Sequence, residues 1–174
     1  MTLFLEQHQI IEGFPAVDLS DGANTGDWVS LKNYKHVTII FRSGLGSAGQ
    51  DPVLTVLQAT DVSGAGSKAL NIVTSPVQVF KKQAATSLAS VGQWSDASGD
   101  VTTNTLTNLT SAEQSCLWIL EFDGAQLDVD ADFDCISCTI ADVGAGAQPG
   151  DLLYILSEPR HALQPTSMPS AIVD

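Results

Sequence analysis

Cys135-Ile136-Ser137-Cys138 has the spacing of a redox pair or of half a zinc site. A redox pair sits at a helix N-terminus that lowers a thiol pKa, and a structural zinc needs four ligands. Here the two thiols lie in the run Phe133-Asp134-Cys135-Ile136-Ser137-Cys138-Thr139-Ile140, which has strand composition, and residues three apart on a strand point to opposite faces. Cys116, His8, His36 and His161 could complete a metal set, but they are scattered along the chain. The cysteines therefore read as ordinary buried thiols. Their odd number argues against a disulfide framework and for synthesis in a reducing compartment.

A second candidate is the acidic stretch holding Asp123, Asp128, Asp130, Asp132 and Asp134. Taken as a calcium loop starting at Asp128, it puts Phe133 where the turn requires Gly and Thr139 where a bidentate Glu belongs. Its alternation predicts a solvated strand or loop edge, with Leu127, Val129, Ala131 and Phe133 on one side and the Asp residues on the other. Metal binding is the alternative. Gly44-Leu45-Gly46-Ser47-Ala48-Gly49 fits a dinucleotide-binding turn, yet Asp51-Pro52 leads into Val53-Leu54-Thr55-Val56-Leu57, another strand where a phosphate-binding helix is needed. A hairpin is the expectation there. The sequence has no G-x-S-x-G elbow and no Walker A, and Lys81-Lys82 is a small basic patch. Trp28, Trp94 and Trp118 read as core or interface anchors. No catalytic residue, metal ligand or cofactor is expected, and the chain reads as a non-enzyme.

The elements around these residues are short runs rich in Val, Ile, Thr and aromatics, separated by Gly, Asp, Asn and Ser. They predict strands at 36–42, 53–60, 77–82, 86–94, 115–122, 133–141 and 152–157, and no long helix. The fold class is all-β: an antiparallel β-sandwich or jelly-roll-like domain over residues 34–157. Residues 1–33 read as an N-terminal arm, and residues 158–174, with Pro159, Pro165 and Pro169, as an extended C-terminal tail. Such a tail frays unless it docks, on a partner or on its own domain. Strand 36–42 carries Val37, Ile39 and Phe41 on one parity and Ile40 on the other, and 115–122 is apolar on both. The second apolar face must meet an arm, a loop or another subunit.

At 174 residues and 44% hydrophobic, the chain is long enough for one self-sufficient core. It lacks an eighteen-residue apolar run and a basic leader, so neither membrane spanning nor general secretion is expected. Charge is uneven. Residues 95–174 hold thirteen acids against Arg160, whereas residues 1–94 hold seven acids and six bases. The formal net charge of −13 disfavours nucleic acid, and the asymmetry predicts a strong negative field on one part of the surface.

Several stretches carry a resemblance: Gly26-Asp27-Trp28-Val29-Ser30-Leu31-Lys32-Asn33-Tyr34, Leu54-Thr55-Val56-Leu57-Gln58-Ala59-Thr60-Asp61-Val62, Ser111-Ala112-Glu113-Gln114, Leu127-Asp128-Val129, Asp142-Val143-Gly144, Leu153-Tyr154-Ile155-Leu156 and Met168-Pro169-Ser170-Ala171-Ile172. From about residue 26 onward the chain resembles small virion proteins of tailed bacteriophages, encoded beside the major capsid protein, that decorate or cement the head. The resemblance implies a β-rich subunit made in the host cytoplasm and held in many copies on the outer surface of the capsid. Its partners would be the major capsid protein and itself, as a homotrimer ahead of a dimer, with no nucleic acid and no membrane. Leu3, Phe4, Leu5 and Trp28, with Met168, Pro169 and Ile172, are the expected contact residues. Alternatives are a tail or head-to-tail connector component, or a carbohydrate-binding module of a virion.

Overall fold

The computed structural model describes residues 3–73, 78–85, 88–161 and 165–173. In chain order the strands are β1 (His8–Asp18), β2 (Asn24–Thr25), β3 (Val29–Ser30), β4 (Tyr34–Ser43), β5 (Leu54–Ala59), β6 (Lys68–Ala69), β7 (Gln78–Ala84), β8 (Ser95–Asp96), β9 (Val101–Thr102), β10 (Thr105–Leu106), β11 (Ser115–Asp123), β12 (Cys135–Ile140) and β13 (Pro149–Pro159). Short 3-10 turns link some of them, and no α-helix occurs among the described residues. One sheet runs β1-β13-β4-β11-β7-β8, and the other runs β2-β12-β5-β10-β9, with β3 added to β12 and β6 to β5. Every pairing is antiparallel, and the two sheets pack as an all-β sandwich.

The core follows from alternation. On β11 Cys116, Trp118, Leu120 and Phe122 point inward and are buried, as do Val37, Ile39 and Phe41 on β4 and Leu152, Tyr154 and Leu156 on β13. They meet Leu54, Val56, Ile136, Cys138 and Ile140 of the second sheet in one apolar cluster. Phe41 and Trp118 face each other across the β4–β11 ladder with ring centroids 5.3 Å apart. Deleting a buried Trp or Phe side chain of this kind costs about 3–5 kcal/mol.

Five predicted strands are present within a few residues, and the strand expected at 77–82 forms from Gln78 onward, its first position lying outside the described residues. The strand expected at 86–94 does not form. Residues 86 and 87 lie outside the described residues, Leu88–Ser90 is a 3-10 turn, and pairing resumes only at β8. That segment is mostly Ser, Ala, Gly and Gln, without the β-branched and aromatic density that makes a strand. The Gly44–Gly49 loop is not a hairpin either: β4 and β5 belong to different sheets, so the loop crosses between them. No helix follows it, and the dinucleotide geometry is absent.

The segment read as an N-terminal arm is largely structural. β1 is an eleven-residue edge strand paired along β13, with register breaks at Glu12/Phe14 and Phe14/Val17. The breaks and Pro15 blunt the outer edge against pairing with other chains. Gly26, further on, fits only because it lacks a side chain: a Cβ there would come 2.5 Å from the Tyr154 hydroxyl and 3.0 Å from the Cys138 carbonyl. The close approach lets Gly26 donate to the Cys138 carbonyl and accept from Ser137 Oγ, tying the N-terminal segment to β12.

Candidate functional site

Tyr34 is where the two ends of the chain meet. Its phenol oxygen lies 2.6 Å from Gln9 Oε1 on β1 and 2.7 Å from the Pro169 carbonyl oxygen in the tail. One phenolic proton cannot serve two acceptors, so turning the Gln9 amide to present its nitrogen satisfies both contacts. Burial raises the Tyr34 pKa and keeps the phenol neutral.

The tail docks on its own domain. Ser30 on β3 donates to the Ala171 carbonyl at 2.7 Å, and Arg160 N–H donates to the Asn33 carbonyl at 2.9 Å. Ala171 is buried in the core cluster, and Met168 packs against it. Because Tyr34 belongs to one sheet and Ser30 to the other, residues 168–171 close one end of the sandwich like a plug. Beyond the plug Ile172 and Val173 are exposed. At the other terminus Leu3, Phe4 and Leu5 are all more than half exposed, on a 3-10 turn that leads into β1. That turn is held by Leu3 N–H on the Glu6 carboxylate at 2.9 Å and by the Phe4 ring stacked on His8 with centroids 4.1 Å apart.

Of the expected contact residues, then, Leu3, Phe4, Leu5 and Ile172 are exposed, while Met168 and Pro169 are half-buried structural residues of the plug. Trp28 packs on a loop between strands. It is half-buried against the 61–66 turn, where Gly64 adopts φ +79° and any Cβ would collide with the Trp28 indole nitrogen. Asp61 organises that turn by accepting from Ser63 and Ala65, which lowers its pKa.

Folding interleaves the two parts of the charge pattern. In the six-stranded sheet, strands from the first 94 residues alternate with strands from the acidic remainder. The ion pairs Lys35–Glu158, Arg42–Asp151, Lys68–Asp128 and Lys81–Asp100 each join a base of the first part to an acid of the second. The Asp-rich stretch is a loop with two 3-10 turns, Gly124–Gln126 and Val129–Ala131, and not a strand edge. Leu127 and Phe133 are buried while Val129 is exposed, so its alternation does not hold. Among the described residues no three His, Cys, Asp or Glu side chains are grouped to hold a metal ion.

None of the three cysteines forms a disulfide, and all three are buried. Burial pushes the Cys116 thiol up to about 11 and drives Cys138 higher still. Cys135 and Cys138 share β12, which is flanked by β2 and β3 on one side and β5 on the other, and this is no setting for a reactive thiolate.

Folding does assemble one arrangement that spacing conceals. His36 Nδ1 lies 3.2 Å from Ser157 Oγ, and its Nε2 lies 4.0 Å from the Glu121 carboxylate. The acid is beyond hydrogen-bond range, and Ser157 sits mid-strand between His36 and His8. Its neighbouring amides belong to the sheet ladders, which offers no pair of free donors to a developing oxyanion. Among the described residues no helix is long and apolar enough to cross a membrane.

No family model and no curated protein matches the chain. Among solved structures, one described as the crystal structure of the SPBc2 prophage-derived protein YomS is similar over 87% of this chain and 93% of that one, with 11% sequence identity and a TM-score of 0.41.

Proposed function

We propose that this chain is a structural subunit of a tailed-phage virion that binds the outer surface of the head and stabilises the shell by adhesion. The observation that carries the reading is the convergence at Tyr34: two chain ends, each tipped with exposed apolar side chains, are pinned to one phenol. Leu3, Phe4 and Leu5 form one tip, and Ile172 and Val173 the other. Exposed apolar residues on a pre-ordered backbone lose little entropy on docking, so they are suited to a protein partner. Many copies bridging neighbouring capsid subunits turn weak contacts into a strong collective one, because the second contact of each bridge is intramolecular. The sequence stretches running from Gly26 to Ile172 support the phage assignment.

The test is to mix the full chain with undecorated heads and count bound copies by co-sedimentation and electron microscopy. Density over the whole shell at hundreds of copies supports the reading. A handful of copies at one vertex would move the protein to the connector, and no binding would sink the proposal.

A further inference from the structure

The outward face of the six-stranded sheet is apolar at its centre, with the Leu88–Ser90 turn and Trp94 bordering it beside Lys82. One register line crosses five strands as Glu12, Leu153, Ile40, Ile119 and Phe80. The next line towards the chain ends reads Ile10, Ile155, Thr38, Glu121 and Gln78, and the next in the opposite direction reads Asp151, Arg42, Leu117 and Lys82. Ile10 is 50% exposed, and Ile40, Ile119, Leu153 and Phe80 are half-buried although their inward neighbours are sealed. The second apolar face anticipated from sequence is therefore real, and the described residues leave its side chains partly exposed.

We infer that this face is the contact between two copies of the chain, packed sheet on sheet about a twofold axis that runs along the Leu153–Ile40–Ile119–Phe80 line. That axis places the apolar line on itself and inverts the lines on either side. Glu121 of one copy then lies opposite Leu117 of the other, between Arg42 and Lys82, and the same contact recurs on the far side of the axis. A face carrying its own complement of charge, Glu121 one line below the centre and Lys82 one line above beside the Arg42–Asp151 pair, fits a second copy better than an arbitrary partner.

Charge and area agree with this choice. The three lines hold Glu12, Asp151 and Glu121 against Arg42 and Lys82, so the face is nearly neutral in a molecule of formal charge −13. A nearly neutral face keeps the repulsion between two acidic copies low. Five strands about 4.8 Å apart and eight residues at about 3.4 Å give a face of roughly 24 by 27 Å. Its corrugated accessible surface is comparable with the roughly 800 Å² per partner of a standard interface. The contact requires no shell, so it goes beyond the decoration reading, and it makes a pair where the sequence expectation put a trimer first.

Sedimentation equilibrium of the full chain tests it, with thermal melts as the folding control. The wild type should sediment at twice the monomer mass, and Ile119→Lys at the monomer mass with its fold retained. Glu121→Lys, on a surface side chain, should weaken the pair about tenfold or more because each dimer holds the contact twice. Lys82→Glu should do the same, and the double reversal should regain most of the loss. A monomeric wild type overturns the inference, as do variants that pair as tightly as the parent. Should Ile119→Lys misfold, the two charge variants and their mutual rescue decide the matter.

Discussion

The Tyr34 hydroxyl stands 2.7 Å from the Pro169 carbonyl although 135 positions separate the two residues, and that contact fixes the C-terminal plug to the sheet that also carries the N-terminal strand. Tyr34→Phe removes the hydroxyl, so the partly buried Pro169 carbonyl loses its donor and the Gln9 amide its acceptor. The expected loss is about 1–3 kcal/mol. Urea titration reads that loss, and limited proteolysis should show earlier cleavage beyond residue 160. A variant as stable and as resistant as the parent would mean the plug is held by Ser30 and Ala171 alone.

Plug and tip are separable by mutation. Removing residues 160–174 strips Met168 and Ala171 from the core cluster, so it should destabilise the fold by several kcal/mol and blur any binding result. Phe4→Ser and Ile172→Ser act on side chains that are 53% and 48% exposed, and their unfolding free energies should stay within about 0.5 kcal/mol of the parent. Capsid occupancy in a co-sedimentation titration should fall severalfold for each and further for the pair. Full occupancy in the double variant would remove both tips from the binding surface.

The strands were legible because their chemistry is local: the alternation in 36–42, 115–122 and 152–157 is a property of adjacent side chains. What pairs with what was not. β1 looked like an arm because Gly13 and Pro15 interrupt its pattern, and its partner β13 lies at the other end of the chain. The ion pairs between the two parts were hidden for the same reason, since nothing in a linear charge count says that β13 and β11 will be laid beside β4. The sheet crossing at Gly44–Gly49 was hidden because a loop between sheets uses the same glycines as a hairpin turn. Of the site, the apolar tips were visible as residue types, but their meeting at Tyr34 depends on Gln9 and Pro169, whose roles no spacing announces.

Asp18 links β1 to the lead-in of β13 by accepting from Gln148 N–H at 2.9 Å and from the Ser20 amide and hydroxyl at 3.0 and 2.8 Å. These hydrogen bonds, that from Gln148 foremost, lower its pKa in the fold. A folded pKa below the unfolded one contributes stability above the unfolded value of about 3.9, and that contribution is lost as pH falls through the folded value. Asp61 and Asp96 are lowered in the same way by their Ser-containing turns. Urea midpoints should hold from about pH 7 to 5 and then drop, with a shallower drop in Asp18→Asn. Identical acid limbs for the two proteins would contradict the assignment.

The thiols give a direct reading of the second sheet. Cys138 lies inward on β12 beside Tyr154, whose hydroxyl accepts from the Cys138 amide at 3.1 Å, and Cys116 lies inward on β11. Only the thiolate attacks a disulfide reagent, and burial has pushed Cys116 to about 11 and Cys138 beyond it. At about pH 8 both are overwhelmingly protonated as well as shielded. Ellman's reagent should therefore leave all three cysteines unmodified in the native protein and titrate all three in denaturant. The native labelling rate should follow global unfolding, so Tyr34→Phe should label faster in proportion to its lost stability. Rapid labelling of one thiol without denaturant would place β12 at an accessible edge and reopen the redox reading of Cys135 and Cys138.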